Sequence, residues 1–576
     1  MRHGDEPRER GAIHKDPGGR IQVALVYPNV YRVGMANLGV HAVYRLLNAD
    51  DRVLCERAFL PEEAGAAPRT VESGRPLSAF DAVAFSLSFE EDHLRVLEIL
   101  ARAGLPLRAA DRGGSHPLVL AGGVAVAINP EPVAPFLDAV LVGEGEVLCP
   151  ALADVLAAAG GGRGAARAEA LERLGEVPGV YLPSRYAVEY APATAGGGAW
   201  VTRFEPRGGA PARVTRRWVR DLGEVCTARV VDTPDAQFGD LHLVEVARGC
   251  LWGCRFCAAG FVQRPYREVS LPALRAEAMR GVAEGRRVGL VGPDTSDHSG
   301  LDALTCAVAE AGGAFSPSSL RVEAITPELA RRMAEGGERT VTLAPEAGTP
   351  RLRAVLNKDF SDDEVVAAAE HAAAAGIPNV KMYFMCGLPT ETEDDVAGIA
   401  GLALRVREEV LLPRARATGR MGRLALSVNP FVPKPWTPFQ WQGMADRRAL
   451  EAARKALQRT LRPKGIEVEL ASPREAFLQA ILSRGDRRAA DLLEAALAAG
   501  GDLGRGLRAW PHDPGFFATR EAGEDEVLPW DYLDHGVRKE DLSRERRRGL
   551  AGRVTPRCRP ETCRACGLEC GDGAAP

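Results

Sequence analysis

Residues 248–257 read Arg248-Gly249-Cys250-Leu251-Trp252-Gly253-Cys254-Arg255-Phe256-Cys257. The three cysteines follow a CxxxCxxC spacing, and an aromatic residue precedes the last of them. Three thiolates on one short loop can hold three irons of a 4Fe-4S cluster, whereas a fully liganded cluster uses four. The fourth iron is then open to a ligand, as chemistry at the cluster requires. A zinc knuckle is the alternative, but zinc sites normally take four ligands from paired knuckles, and no second knuckle lies nearby in the sequence.

Strand-like and helix-like segments alternate on both sides of this loop, from about 236 to 445. The predicted strands are 241–246, 288–291, 320–324, 340–344, 379–386 and 423–428. Six such units predict a partial (β/α)6 barrel of the TIM type that is open on one side. In barrels of this kind the functional groups lie at the C-terminal ends of the strands. The cluster loop follows the first predicted strand, so it belongs to that face.

Composition and charge narrow the class of protein. The chain has 576 residues, of which 46% are hydrophobic and 26% charged, and its formal net charge is −4. The charge disfavours a general nucleic-acid binder but leaves a local basic patch open. No apolar run has the length of a membrane span, and the N-terminus lacks the core of a signal peptide. Seven of the twelve cysteines fall in two tight clusters, which indicates metal binding rather than disulfides in a cytoplasmic protein.

Residues 20–155 predict a second α/β unit, of the Rossmann or flavodoxin type. Its predicted strands are 21–27, 53–58, 82–87, 118–121 and 139–142. Ligands in such sheets bind outside the carboxyl ends of the strands. The candidate ligand-binding residues in those loops are Asn29, Gly34, Ser86, Ser88, Gly122, Gly123, Gly143 and Glu144. Each glycine alone is equally consistent with an ordinary tight turn.

The remaining segments are less specific. Residues 1–19 form an N-terminal extension, 156–235 a linker with a small β-rich insertion, and 446–576 a mainly helical region. The loop 429–441 holds four prolines and four aromatic residues, so it either lines a pocket or braces the C-terminal region. The tail carries Cys558, Cys563, Cys566 and Cys570, which predict a second 4Fe-4S cluster or one zinc ion, with unliganded thiols as the alternative. The basic run 544–548 reads first as a solvated helix face, and RNA contact is the less favoured reading.

The cluster loop, with Phe256 before its last cysteine, resembles the signature of radical S-adenosylmethionine (SAM) enzymes. The whole chain resembles an uncharacterised bacterial family of radical SAM proteins with an N-terminal cobalamin-binding-like domain. The resemblance rests on Tyr27-Pro28-Asn29 with Gly34-Met35, the segment from Glu346 to Asn357-Lys358, Phe431-Val432-Pro433-Lys434-Pro435, and Leu528-Pro529-Trp530-Asp531.

The resemblance implies both cofactors and contacts. The open iron would chelate SAM, and Gly292 and Asp294 would occupy the turn that receives its ammonium group. Glu346 would accept hydrogen bonds from the ribose, Lys358 or Arg351 would pair with the carboxylate, and the segment around Gly387 would lie along the adenine. Cobalamin is implied for residues 20–155. The usual Asp-x-His-x-x-Gly motif is absent, so cobalt would have no histidine ligand, and His93 is expected at the surface.

The function implied is reductive cleavage of SAM to start radical chemistry on an unknown substrate, with cobalamin-dependent methyl transfer or rearrangement. The alternatives are a cobalamin-free enzyme acting on RNA or a ribosome-associated target, and a non-catalytic Fe-S scaffold. Methylthiolation is disfavoured, because the N-terminal region holds only Cys55 and Cys149 and no three-cysteine cluster. A low-potential donor such as flavodoxin or ferredoxin is the expected partner, and neither a membrane nor a nucleic acid is indicated.

Overall fold

The computed structural model describes residues 7–191, 199–559 and 566–568. These residues form an N-terminal sheet domain, a partial barrel and a C-terminal region that contacts both. Among the described helices, none combines the length and the apolar character needed to cross a membrane.

The N-terminal domain is a parallel sheet with helices on both faces. Its elements are β1 (Ile21–Tyr27), α1 (Tyr31–Gly34), α2 (Leu38–Ala49), β2 (Val53–Phe59), β3 (Ala82–Ser86), α3 (Asp92–Arg102), β4 (Leu118–Gly122), α4 (Val124–Ile128), β5 (Ala139–Leu141), α5 (Gly145–Ala159), α6 (Ala166–Leu174) and β6 (Val180–Tyr181). The strand order is β2-β1-β3-β4-β5, all parallel, and β6 pairs antiparallel at the edge. This is the flavodoxin-like order, in which ligands bind at the carboxyl edge.

Both faces of this sheet are buried, which explains why its strands are almost continuously apolar. One face packs against α2 and α5, through residues such as Leu25, Leu47 and Leu152. The other face packs against α3 and against a helix of the C-terminal region, α17 (Ala489–Ala498), through residues such as Leu97 and Leu493. Because helices cover both faces of the sheet, the loops at the strand ends are the parts of this domain that a ligand can reach.

The connection to the barrel holds three short strands. These are β7 (Tyr186–Tyr190), β8 (Val201–Pro206) and β9 (Val214–Thr215). Strands β7 and β8 form an antiparallel hairpin, whereas β9 pairs in parallel with a strand from the C-terminal region. The connection therefore links the N-terminal domain to the end of the chain.

The barrel alternates parallel strands with helices. Its elements are β10 (Leu241–Glu245), β11 (Ala247–Arg248), α7 (Ala259–Val262), β12 (Arg267–Glu268), α8 (Leu271–Ala283), β13 (Arg287–Val291), α9 (Leu301–Glu310), β14 (Phe315–Pro317), α10 (Pro327–Glu335), β15 (Thr340–Glu346), α11 (Pro350–Leu356), α12 (Asp362–Ala374), β16 (Asn379–Cys386), α13 (Glu393–Arg405), a π-helical segment Val406–Leu411, α14 (Leu412–Thr418) and β17 (Leu424–Pro430). The prediction of a strand at 320–324 is wrong. The third strand is β14, and Val322–Ala324 is a 3-10 turn that leads into α10, whose N-terminus is capped by the side chain of Thr326.

The C-terminal region adds α15 (Arg447–Leu461), β18 (Glu467–Leu470), α16 (Pro473–Arg484), α17 (Ala489–Ala498), α18 (Leu503–Ala509), α19 (Pro514–Ala518), β19 (Leu533–Asp534) and α20 (Lys539–Leu550). Strand β18 pairs in parallel with β17, so the barrel has a seventh strand beyond the six predicted. The two barrel ladders run β10-β13-β14 and β15-β16-β17-β18.

The proline-rich loop 429–441 is a brace. The side chains of Trp436, Phe439 and Trp441 are all buried. The Gln440 side-chain oxygen accepts hydrogen bonds from the Trp436 amide at 3.0 Å and from the Trp530 indole at 2.8 Å. Of the two alternatives that the sequence left open, bracing of the C-terminal region accounts for these aromatic residues.

Candidate active site

The cluster loop begins at a glycine that no other residue could replace without strain. Gly249 has φ +76°, and a Cβ atom there would lie 2.6 Å from the Pro265 carbonyl oxygen and 2.8 Å from that of Gln263. Residues with a side chain rarely adopt this backbone conformation, and the two nearby carbonyl groups leave no room for a Cβ atom. The loop therefore leaves β11 in a sharp turn and brings its three cysteines to the mouth of the barrel.

The three thiols lie in a partly enclosed site. Burial is the main cause that raises the pKa of Cys250, Cys254 and Cys257 above its usual value. The positive charges of Lys358 and Arg321 act in the opposite direction on Cys254. Thiolates are thus costly here without a cation, and bound iron removes that cost by stabilising the deprotonated form.

One wall of the site comes from the end of β15. The ammonium group of Lys358 donates to the Ala344 carbonyl at 2.7 Å and lies 3.3 Å from the Glu346 carboxylate. Glu346 has φ +66°, an unfavourable backbone conformation for a side chain with a Cβ atom. The helix that follows is capped by Thr349 and not by Glu346. Glu346 is therefore not held in place by capping, and its carboxylate faces the cysteines.

The opposite wall contains residues that the sequence did not reveal. The guanidinium of Arg321 lies 3.6 Å from the centre of the Trp252 ring, and the Trp252 indole donates to Asp297 at 3.2 Å. Burial, then the charge of Asp294, raises the pKa of Asp297 to about 6. Asp294 is buried and caps the turn Thr295–Asp297 through Ser296. Arg321 was missed because 320–324 had the alternation of a strand.

Other predicted contact residues lie elsewhere. Arg351 is half exposed and forms an ion pair with Asp395, so it faces away from the cysteines. A Cβ atom on Gly387 would meet Ala445 and Leu450, each at 2.8 Å, which places this glycine against α15. Phe256 packs on the apolar cluster formed by residues such as Leu352 and Phe431. The carbonyl of Gly292 accepts from the Ser319 hydroxyl at 3.0 Å and stays at the barrel mouth.

A cavity of about 300 Å³ opens between the N-terminal domain and the barrel. Its inner end is apolar and lies between the sheet and helices α2 and α5. That end is lined by Leu25, Val43, Leu47, Leu120, Cys149 and Leu152, among others. Its mouth lies at the carboxyl ends of the parallel strands. The mouth is lined by Ser86, Gly122, Gly123, Gly143 and Glu144 of this domain, together with Arg248 and Gln263 of the barrel.

Five of the eight residues predicted for this edge line the cavity, and three do not. Asn29 lies within 3.4 Å of Asp92, and Gly34 packs beneath the ring of Phe59. Ser88 accepts a hydrogen bond from Asn37 at 3.0 Å. These three residues therefore shape the loops and do not line the cavity.

Glu144 has a role in joining the two domains. Its carboxylate lies 3.0 Å from Arg248 and 2.7 Å from Arg267, and Arg248 also pairs with Glu146 at 2.7 Å. Arg248 precedes the cluster loop directly. This network fixes the cluster loop relative to the cavity mouth, so the two candidate sites share one rigid boundary.

Two further residues line the cavity and were not predicted. Arg216 is 6% exposed, and burial lowers its pKa to about 10. Its only described polar partner for the side chain is the Arg264 carbonyl, and its Nε atom has none among the described residues. His535 is buried, shares a hydrogen bond with the Ala127 carbonyl at 2.8 Å and packs edge-on against Trp436.

The expectation for His93 was wrong. Its side chain is fully buried, and burial lowers its pKa to about 4. The residue lies on α3, whose inner face packs against α17 of the C-terminal region. The sequence could not show this, because the helix that covers it comes from about 400 residues further along the chain.

The tail approaches the cluster loop. Cys558 and Cys566 line one cavity of about 140 Å³ together with Gly253 of that loop. Cys563 and Cys570, the other two predicted ligands, lie outside the described residues. The predicted metal centre of the tail therefore stays a prediction, with two of its four thiols placed beside the radical chemistry.

Comparison with known proteins agrees with this site. Residues 244–403 match the radical SAM superfamily, and residues 39–183 match the N-terminal domain of radical SAM proteins. An uncharacterized protein of the archaeon Methanocaldococcus jannaschii is 27% identical over 476 residues, which cover 82% of this chain and 90% of that protein.

Two solved structures are among those that this chain resembles. One is the radical SAM methyltransferase TsrM of Kitasatospora setae with tryptophan and a SAM analogue bound, with 14% identity, a TM-score of 0.44, and 71% of this chain and 72% of that chain covered. The other is the cobalamin-dependent radical SAM enzyme OxsB with aqua-cobalamin bound, with 14% identity, a TM-score of 0.48, and 83% and 66% covered. The chain therefore contains the N-terminal and the catalytic domain of radical SAM proteins, and the catalytic domain carries the three-cysteine loop at its barrel mouth.

Proposed function

We propose that the protein cleaves SAM reductively at a 4Fe-4S cluster held by Cys250, Cys254 and Cys257, and uses bound cobalamin to transfer a methyl group to a carbon of its substrate. The observation that carries the cofactor assignment is the apolar cavity at the carboxyl edge of the flavodoxin-like sheet, which opens toward the cluster loop. The cluster supplies one electron to SAM, and cobalamin supplies a transferable methyl group.

The residues around the cluster match the charges of the amino-acid end of SAM. Asp294 and Glu346 offer carboxylates to the ammonium group, and Lys358 and Arg321 offer cations to the carboxylate. Lys358 and Arg321 both act on Cys254, so their charges are close to the open corner of the cluster. Arg321 takes the role that the resemblance gave to Arg351, because only Arg321 faces the site. These contacts would hold the sulfonium next to the iron.

The cavity suits one part of cobalamin especially well. Its volume of about 300 Å³ is at the small end of ligand sites, and its inner half is apolar. The nucleotide arm of cobalamin ends in an apolar aromatic base, which would fill the slot between the sheet and helices α2 and α5. The glycines at positions 122, 123 and 143 leave the mouth open for the ring system. Small residues at strand ends permit this close approach.

Arg216 would bind the anionic group of the same arm. A buried guanidinium is costly unless its charge is paired. The carboxylate whose charge reaches Arg216 is that of Glu144, which already pairs with Arg248 and Arg267. The phosphodiester of the nucleotide arm is the single negative charge that cobalamin brings, and it would complete the pair. Rearrangement without methyl transfer would use the same residues, so the site does not separate these two reactions.

The test uses the full chain, reconstituted anaerobically with iron, sulfide and cobalamin. Dithionite and SAM should give 5′-deoxyadenosine, which a non-catalytic scaffold cannot do. Electron paramagnetic resonance of the cob(II)alamin form should show no nitrogen splitting from a protein ligand. Splitting would mean that a nitrogen binds cobalt, either from the base of cobalamin itself or from a histidine, with His535 the described candidate at the cavity. A protein that stays colourless after cobalamin-supplemented expression and reconstitution would favour the cobalamin-free enzyme.

A further inference from the structure

The segment 538–559 is strongly basic in a chain whose net charge is negative. It contains nine basic and three acidic residues, a net charge of +6, whereas the whole chain has −4. The basic residues are Arg538, Lys539, Arg544, Arg546, Arg547, Arg548, Arg553, Arg557 and Arg559, and we call their surface the α20 basic surface. The charge is therefore concentrated on one helix and the strand-free stretch that follows it.

This surface is attached directly to the back of the cluster loop. Arg255, between the second and third cysteines, donates to Glu545 of α20 at 2.5 Å. The amide of Cys558 donates to the Leu251 carbonyl at 2.7 Å. A Cβ atom on Gly549 would lie 2.6 Å from the Arg255 side chain, so the helix backbone touches the loop. The basic surface is therefore connected to the cysteines through direct hydrogen bonds and the short stretches of chain between them.

The helical part of the surface lies beside Arg255, whereas its last stretch borders the cluster loop, where the guanidinium of Arg557 lies 6.0 Å from the centre of the Trp252 ring. The cysteines face Lys358, Glu346 and Asp294 at the barrel mouth, where SAM and substrate must meet. Arg255 points the other way, toward α20. A partner bound to the exposed arginines of α20 would therefore approach the cluster through the junction of Arg255 and Glu545.

Much of the charge is available to a partner. Arg547 is 67% exposed, and Arg553, Arg557 and Arg559 are exposed as well. Acidic neighbours offset part of the field: Glu524 lies 3.0 Å from Arg546 and 3.7 Å from Arg547. Asp541 pairs with Arg538 and Arg544. An excess of positive charge remains on the stretch 553–559, which contains no acidic residue.

We propose that the α20 basic surface is the docking site for an acidic one-electron carrier protein that reduces the cluster. The proposal rests on the proposed function, because SAM cleavage consumes one electron from outside the chain. That electron leaves the reduced carrier, passes to the cluster and breaks the bond between sulfur and the 5′ carbon, giving methionine and the 5′-deoxyadenosyl radical. Complementary charge steers such encounters and makes them sensitive to salt. A nucleic acid would also suit the charge, but the attachment of α20 to the cluster loop through Arg255 favours a partner that delivers an electron.

The experiment compares two reductants on the full reconstituted protein. A triple variant reverses exposed charges, Arg547→Glu, Arg553→Glu and Arg559→Glu. A matched control reverses three exposed arginines far from α20, Arg69→Glu, Arg203→Glu and Arg447→Glu. Formation of 5′-deoxyadenosine is followed with dithionite, and with reduced flavodoxin and reduced ferredoxin of negative net charge, at low and high salt.

With dithionite, the wild type and both variants should form product at the same rate. With the carriers, the α20 variant should lose about tenfold or more in rate at low salt and lose its salt dependence, whereas the control keeps both. Equal carrier-driven rates in the α20 variant and the wild type would overturn the proposal. Binding of an RNA probe is measured on the same three proteins at low and high salt. Equal carrier-driven rates together with loss of salt-sensitive RNA binding in the α20 variant would also overturn the proposal and assign the surface to nucleic acid. No product from the wild type with dithionite would instead refute the proposed function.

Discussion

The guanidinium of Arg255 lies 2.5 Å from the carboxylate of Glu545, although 290 residues separate them in the sequence. Arg255 is fully buried and also donates to the carbonyls of Ala354, Val355 and Arg553, at 2.8, 2.9 and 2.6 Å. One side chain inside the cluster motif thus joins the cluster loop, the helix α11 and the C-terminal helix. The C-terminal region is part of the active-site scaffold and not an appendage.

Glu545→Gln should destabilise this junction. Removing one partner leaves the buried charge of Arg255 without its carboxylate, which costs about 2 kcal/mol for a partly exposed partner. Urea unfolding under anaerobic conditions should show that loss, and iron should leave the variant faster under chelator challenge. Glu540→Gln, an exposed change on the same helix, is the control and should match the wild type. Identical iron retention in both variants would show that the ion pair does not support the loop.

Single changes of Cys250, Cys254 or Cys257 to Ala should abolish 5′-deoxyadenosine formation, because each removes one of only three iron ligands. Circular dichroism should be unchanged outside the loss of the cluster signal. Cys386→Ala is the matched control, since that thiol is buried in the barrel core and not at the site. Formation of 5′-deoxyadenosine by a variant in which all three cysteines are changed to Ala would refute the assignment of these cysteines as cluster ligands.

Arg216→Met should weaken cobalamin binding about tenfold, in line with the loss of one charge-assisted contact. Cobinamide, which lacks the nucleotide arm and its phosphodiester, should bind equally to the variant and to the wild type. Fluorescence quenching or equilibrium dialysis measures both ligands without any turnover. The control is Arg213→Met, whose side chain is 57% exposed. Equal loss for both ligands would show that Arg216 shapes the cavity and does not bind the phosphate.

The tail should bind one metal centre of its own through Cys558, Cys563, Cys566 and Cys570. In the triple variant of Cys250, Cys254 and Cys257, about four irons remaining per chain would indicate an auxiliary cluster and one zinc a structural site. Iron is favoured, because Cys558 and Cys566 share a cavity with Gly253 of the cluster loop. A variant without any bound metal would contradict the prediction.

Glu391→Gln should change the pH dependence of stability. Burial raises the pKa of Glu391 to about 7, above the value of 4.5 expected in the unfolded chain. A group with a raised folded pKa contributes stability that is present at low pH and is lost as the pH rises through 7. The loss is on the order of 2 kcal/mol. The variant should therefore gain stability relative to the wild type at pH 8 but not at pH 5, as measured by urea unfolding. An equal difference at both pH values would argue against a titrating Glu391.

Much of the fold was predictable because it follows local patterns. The strands β1 to β5 are mostly buried on both faces and are mostly apolar, whereas β15 and β16 bury every second residue, and both patterns indicate strands. The prediction of a strand at 320–324 was wrong because the apolar residues Leu320, Val322 and Ala324 alternate as in a strand. In the structure they lead into a capped helix. Strand β18 was missed because only its pairing with β17 distinguishes it.

The sequence by itself determined the chemistry of the cluster, since spacing alone fixes how three thiolates can share one cubane. The resemblance to radical SAM enzymes also placed Glu346 and Lys358 at the site. Only the tertiary structure showed that Arg321, which was not a candidate from the sequence, faces the site and that Arg351 does not, because the two cations differ in where their side chains point. It likewise placed Arg216 at the cavity and α20 behind the cluster loop. Those contacts join residues hundreds of positions apart, and packing between distant segments leaves no local pattern to read.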